Sequence, residues 1–290
     1  MLKPSTWQHL RFPFSIFLAP VFLFALCLAL PAVGWQVGLV FVILHLLVYP
    51  ASNGYNSYFD KDEESIGGVE KPLPVSKELY HTALVMDAVA LGLALLISWH
   101  FAVMLLVYGL VSKAYSHPAI RLKKYPILGW LVVGFFQGYF TWWMVWVALQ
   151  GWHWEAWNTP KYQLAALLSS LLLWGSYPMT QVYQHAEDAR RGDRTLSLRL
   201  GIKGTFHFVA AFFGVATVGF GCLFVTYFSS NHLIFFALSL LPVLFFFGWW
   251  YVLVRKNVAA ADFKNTMRLN LISSLGMILF FGGWALSQIF

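Results

Sequence analysis

Apolar residues fall along this chain in blocks of about twenty, the length a helix needs to cross a bilayer. Blocks run from Phe12 to Leu30, Trp35 to Tyr55, Leu79 to Trp99, His100 to Lys113, Pro126 to Leu149, Tyr162 to Tyr183, Thr205 to Tyr227, Leu233 to Val254 and Asn270 to Ile289. The pattern predicts about nine transmembrane helices. Only the polar pair Trp99 and His100 separates the third block from the fourth, so a tight turn is expected there. The first block is longer than the apolar region of a secretory signal and reads as a retained anchor.

Composition agrees with lipid as the main solvent. Of 290 residues 59% are hydrophobic and 11% charged, against about 25% charged in an ordinary soluble domain. The mean hydropathy is +0.66, which excludes a soluble domain, a disordered chain and a disulfide scaffold. The expected organisation is one integral-membrane domain over residues 1–290. The two cysteines, Cys27 and Cys222, both sit in apolar blocks and build neither a disulfide framework nor a Cys-rich zinc site. A net charge of +7 is spread between the blocks rather than gathered in one patch. Anionic headgroups or an anionic substrate are therefore expected partners, and nucleic acid is not.

Eighteen of the nineteen Lys and Arg residues lie in alternate connections, leaving Lys161 alone on the other side. Positive charge marks the cytoplasmic face, so a cytoplasmic N-terminus and an odd number of spans are expected. With no Arg- and Ser-rich leader, a bacterial cytoplasmic membrane is the simplest setting.

The scarce acids are not scattered. Asp60, Asp62, Glu63, Glu64, Glu70 and Glu78 follow the second block, and Glu187, Asp188 and Asp193 follow the sixth. Asn56, Asp60 and Glu64 recur every four residues, so a continuing helix puts them on one face. Three hard oxygen donors at a membrane boundary suit Mg2+ with an anionic ligand completing its shell. Tyr183, Gln184 and Asp188 repeat the spacing of Tyr55, Asn56 and Asp60. The bland alternative for both clusters is a solvated loop neutralised by Lys61, Lys71, Arg190 and Arg191. Between the clusters, the connection from Tyr115 to Pro126 carries two prolines and Arg121, Lys123 and Lys124, a stiff positive loop fit to clamp a diphosphate. Asp87 lies well inside a block, where a carboxylate must face a cavity or a partner. Phe135, Phe136, Tyr139, Trp142, Trp143 and Trp146 are candidates for an apolar slot, and His185 for a supporting place beside the second cluster.

Together these residues resemble the UbiA superfamily of intramembrane prenyltransferases. The resemblance rests on Asn56-Ser-Tyr-Phe-Asp60-Lys-Asp-Glu-Glu64, on Lys71-Pro-Leu-Pro74, on the connection from Tyr115 and Ser116 to Lys124, and on Asp188 to Gly192 with Arg194-Thr195-Leu196 and Leu200-Gly201. It implies a nine-helix bundle with a central cavity and cytoplasmic cap loops. It implies Mg2+-dependent transfer of an isoprenyl group from a prenyl diphosphate to a lipophilic acceptor, aromatic or a quinone precursor. Asn56, Asp60 and Glu64 would hold one Mg2+, and Asp188 with Gln184 or Glu187 a second. Asp60 and Asp188 would be the catalytic pair. Lys71, Arg121, Lys123 and Lys124 would meet the diphosphate, while Tyr115, Asp87 and Tyr183 are possible cavity residues. Two departures stand out: Glu64 replaces an Asp, and Gln184 replaces the Asp that opens the second motif. A carboxamide ligates Mg2+ without supplying charge, which weakens the second ion.

Two other readings compete. A terpene cyclase of the same fold would use similar metal chemistry without an acceptor. A transporter or silent scaffold would use the acids for ion coupling, yet transporter sites lie near the midplane on broken helices.

Overall fold

The computed structural model describes residues 2–289. Among them there is no β-strand, only an isolated antiparallel bridge between Ile66 and Val69. The long helical rods are α1 (Pro4–Ala29), α2 (Gly34–Asp60), α3 (Lys77–Leu95), α4 (Trp99–Ser116), α5 (Pro126–Gln150), α6 (Pro160–Ser176), α7 (Leu196–Tyr227), α8 (Ser230–Lys256) and α9 (Phe263–Ser287). They pack in chain order as a ring that closes where α9 meets α1. Polar caps set several boundaries. Ser98 accepts the Phe101 N–H at the start of α4, Thr195 that of Leu198 at α7, and Asp262 that of Asn265 at α9.

Seven rods among the described residues are long and apolar enough to cross a membrane, all except α4 and α6. The protein is an integral membrane protein. The nine expected spans thus become seven clear ones and two shorter helices. α4 has 18 residues and ends on Lys113 and Ser116; α6 has 17 and gives way to a 3-10 turn, Tyr177–Gln181, opened by Pro178. The first helix starts at Pro4 rather than Phe12 and breaks at Arg11, whose backbone is left-handed (φ 51°). The seventh begins at Leu196 rather than Thr205 and kinks at Gly201 (φ 69°).

Two rods carry π turns at their centres, Ile43–Val48 in α2 and Phe135–Phe140 in α5. A π turn frees backbone groups from the i to i−4 ladder. In α5 Ser170 of α6 satisfies them: its hydroxyl accepts the Tyr139 N–H (2.8 Å) and donates to the Gly134 carbonyl (2.8 Å). This requires the backbones to touch, and Gly138 allows it. A Cβ on Gly138 would lie 2.4 Å from the Ser170 Cα.

The loop after α2 is tied to the start of α1. Gln8 bridges the Lys71 carbonyl and the Leu73 N–H, and His9 bonds the Leu73 carbonyl (2.6 Å). These ties hold Lys71 at an exposed outer edge.

Candidate active site

A polar cavity of about 230 Å³ opens where α2, α4 and the turn after α6 end. An apolar cavity of about 220 Å³ continues from it into the bundle, and Tyr108, Gln137, Tyr177 and Thr180 line both. The π turn in α5 aims Gln137 at this junction. The lower cavity runs along α1 and α9 as far as Phe24 and Phe281, whose rings stack 4.6 Å apart.

Asn56 and Asp60 share one face of α2 and line the polar cavity. The helix ends there, because Lys61 turns left-handed (φ 50°). Glu64 therefore leaves the face on which a continuing helix would have placed it. It is exposed and pairs with Arg190. Asp62 takes its place in the cavity wall, paired with Arg191. The Asn56 amide nitrogen donates to Ser116 (2.8 Å), which leaves its carbonyl oxygen for the cavity. Asp60 forms an ion pair with Lys123 and lies 3.6 Å from Arg121, its side chain 4% exposed. Its buried Oδ1 has no hydrogen-bond partner.

The facing wall is the short helix His185–Arg191 with the residue before it. Gln184 donates its amide to the Ser65 carbonyl (3.2 Å), again leaving the carbonyl oxygen. Asp188 accepts from the Thr195 hydroxyl (3.2 Å). Gly192 (φ 74°) closes the helix and brings the Asp193 N–H onto the Asp188 carbonyl (3.0 Å). Asp193 is buried and accepts two bonds from Arg121 at 2.9 and 2.8 Å, a bidentate pair that ties the loop after α4 to this wall. Burial pushes the Asp188 carboxyl up to about 7, against the Thr195 hydrogen bond and the charge of Lys123, which lower it.

Other expected residues divide plainly. Lys123, Tyr115 and Tyr183 line the polar cavity, and the Tyr115 hydroxyl touches that of Tyr177. Arg121 acts from behind it through Asp193 and Asp60. Glu187 is buried outside the cavity, bonded to Arg191 (2.5 Å) and to the Glu63 N–H (3.1 Å). Lys124 is exposed over the Tyr125 ring. Asp87 pairs with Lys113 rather than facing a cavity, and His185 bonds Ser197 (2.8 Å). Of the expected aromatic wall only Phe136 reaches the polar cavity. Trp142, Trp143 and Trp146 pack in the core, and Phe14, Phe17, Phe24, Phe213 and Phe281 line the lower cavity instead. Among the described residues no three of His, Cys, Asp and Glu converge as a metal site. Asn56 with Asp60 on one wall faces Gln184 with Asp188 on the other, and Asp62 and Asp193 line the cavity beside them.

The profile of the UbiA prenyltransferase family matches residues 17–272, most of the chain. The chain belongs to this family. No curated protein sequence matches it. Among solved structures, a UbiA homolog from Archaeoglobus fulgidus bound to DMAPP and Mg2+ superposes with a TM-score of 0.70 at 13% identity, covering 98% of this chain and 99% of that one. An apo UbiA homolog from Aeropyrum pernix K1 gives 0.68 at 16% identity over 100% of both chains. A structure concerned with digeranylgeranylglyceryl phosphate synthase gives 0.60 at 19% identity, over 97% and 98%. At these identities the likeness concerns the fold.

In this UbiA-family chain the sequence reading missed Arg11, Asp62, Arg191 and Asp193 as cavity residues. Arg11 had counted only toward topology, yet the break at its own backbone turns its guanidinium to the Asn53 carbonyl (3.1 Å). The Asp188 environment makes one prediction. A carboxyl whose folded pKa is raised stabilises the fold fully below its ordinary range near pH 4 and loses that contribution as pH rises toward 7, by up to about 1.4 kcal/mol per pH unit. Without divalent cations, the detergent-solubilised protein should unfold at a lower temperature at pH 7.5 than at pH 5. Asp188→Asn should lessen that pH dependence, which thermal melts across the range will measure.

Proposed function

We propose that this protein transfers an isoprenyl group from a prenyl diphosphate to a lipophilic acceptor, aromatic or quinone-like, in an Mg2+-dependent reaction at the cytoplasmic face of a bacterial inner membrane. The observation that carries the reading is the joined pair of cavities: a polar chamber lined by the carboxylates of Asp60, Asp62, Asp188 and Asp193 together with carboxamides and cations, continuous with an apolar channel. That shape matches a molecule with a charged head and a hydrocarbon tail. The relatives bound to DMAPP or GPP with Mg2+ support it.

The donor set fits Mg2+. Asn56, Asp60, Gln184 and Asp188 present hard oxygens, and the buried Asp60 Oδ1 accepts no hydrogen bond, the Arg121 guanidinium standing off at 3.6 Å, so it has capacity for a cation. Bound there, Mg2+ would act as a Lewis acid toward the departing diphosphate. Lys123, with Arg11 and Arg191 also lining the chamber, supplies fixed positive charge to the leaving group, and Arg121 holds the loop that presents Lys123. The C1–O bond of the donor breaks and its electron pair leaves with the diphosphate. C1 then bonds to the nucleophilic atom of the acceptor, which gives up its proton. Tyr108, Tyr115 and Tyr177 surround the head of the channel and face a developing allylic cation with π electrons.

Purified protein in lipid nanodiscs should release diphosphate from a panel of prenyl diphosphates of ten to forty carbons when Mg2+ and a membrane lipid extract are supplied, and EDTA should stop the release. Failure to bind or turn over any of these donors with Mg2+ would refute the proposal.

A further inference from the structure

The two joined cavities accommodate one substrate, yet a transferase holds two. A third cavity of about 360 Å³ lies between α7, α8 and α9. It opens sideways toward lipid, since Leu244 on its wall is 56% exposed. It meets the lower cavity at Ser176, Phe213, Asn270 and Ser273, which line both. No charged side chain lines this side arm. Its wall is hydrocarbon apart from four polar side chains, and Ser176, Asn270 and Ser273 among them stand at the junction.

Asn270 is the informative one. A carboxamide carries two donors and two acceptor sites, and leaving them unmatched in apolar surroundings is costly. Among the described residues the Asn270 side chain hydrogen-bonds to no other protein group, unlike its helix neighbours Thr266 and Ser274. Ser176 lines the lower cavity together with Tyr177, which also lines the polar chamber, so a head group at the junction opens onto the cavity that leads to that chamber.

We infer that the side arm binds the acceptor, a neutral lipid-soluble molecule with a hydroxyl or carbonyl head at Asn270, Ser273 and Ser176 and a hydrocarbon tail between α7 and α8. Asn270 is then a specificity-determining residue. The inference rests on the prenyl-transfer reading above and adds the route and chemistry of the second substrate. The distal tail of a long donor is the poorer occupant, because with hydrocarbon in both cavities the three polar side chains at the junction would have no partner on either side.

Gly214 provides the test. It lines the arm, and a Cβ there meets no atom within 4 Å, so a side chain starts from it without a backbone clash and Gly214→Trp is the variant designed to plug the space. The probe is a decyl hydroquinone carrying a diazirine on its chain, photolysed with the full-length protein in nanodiscs. Label should appear on peptides covering 209–217 and 269–273. It should fall about tenfold in Gly214→Trp and in Asn270→Leu, while Mg2+-dependent binding of geranylgeranyl thiodiphosphate stays unchanged in Gly214→Trp, which lies outside the donor cavities. Gly214→Leu serves as a milder plug should the tryptophan variant melt early. Label absent from these peptides, label indifferent to the substitutions, or label displaced by a forty-carbon prenyl diphosphate overturns the inference. Absence of thiodiphosphate binding in the wild type overturns the transfer reading instead, and the labelling pattern keeps the two failures apart.

Discussion

Asp60→Asn is expected to slow diphosphate release by about 10³-fold while the protein remains folded in detergent. Asp60 joins the two walls of the polar chamber: it sits on α2, pairs with Lys123 and lies 3.6 Å from Arg121, which in turn grips Asp193 on the facing wall. Asparagine keeps the shape and the oxygen but removes the charge that balances Lys123 and attracts Mg2+. Alanine removes both, and leaving a buried cation unpaired costs about 3–5 kcal/mol. Asp60→Ala should therefore lose stability as well as activity, and the asparagine variant separates the two. In the Asn variant the amide oxygen still accepts from Lys123, with Asp193 at 4.0 Å as a second partner, which is why that variant should survive. Melting temperature and diphosphate release measured on the same preparation decide this. An Asp60→Asn protein with wild-type turnover would remove Asp60 from the mechanism.

Gly138→Ala is expected to be the most damaging single methyl in the bundle. The added Cβ would lie 2.4 Å from the Ser170 Cα and 2.5 Å from its nitrogen, and backbone cannot rotate away as a side chain can. α5 and α6 must separate, which breaks the two Ser170 hydrogen bonds that satisfy the π turn. Overpacking of this kind costs about 1–3 kcal/mol, and each freed buried group adds about 1–3 more. Because the same turn aims Gln137 at the junction of the two cavities, donor binding should weaken along with thermal stability. Gly214→Ala, in open space, is the matched control and should change neither. A Gly138→Ala protein that melts like the wild type would mean that α5 and α6 do not meet here.

The helices were legible in the sequence because lipid imposes a coarse rule, long apolar blocks separated by charge. Their ends were less so. Pro4 to Leu10 is too polar to register as part of a span, yet it folds as helix and is pinned by Gln8 and His9 to the loop after α2. The site was half visible. Asn56, Asp60, Gln184 and Asp188 stand out by helical spacing, and they do line one chamber. Glu64 fits the same spacing and fails, because the spacing rule assumes a helix that Lys61 ends. Asp62 and Asp193 follow no periodicity; left-handed turns at Lys61 and Gly192 precede them, and a pattern read at 3.6 residues per turn does not see past such turns. Gly134 and Gly138 stand four residues apart against Trp174 and Ser170 of α6, a small-xxx-small contact that only the packing brings out.

The π turns in α2 and α5 bear on any helical wheel drawn for this chain. Each packs extra residues into a turn, so the residues beyond it are rotated by about 100° relative to an unbroken helix. A wheel carried straight from Gly34 to Asp60 would mislabel the face that holds Asn56 and Asp60 if it were phased on Gly34 to Val42. The same offset applies when this chain is placed beside relatives at 13–19% identity. Gapless pairing across Ile43–Val48 or Phe135–Phe140 holds only where the partner has the same turn. Register past those points has to be anchored on the charged end of the bundle and counted backward.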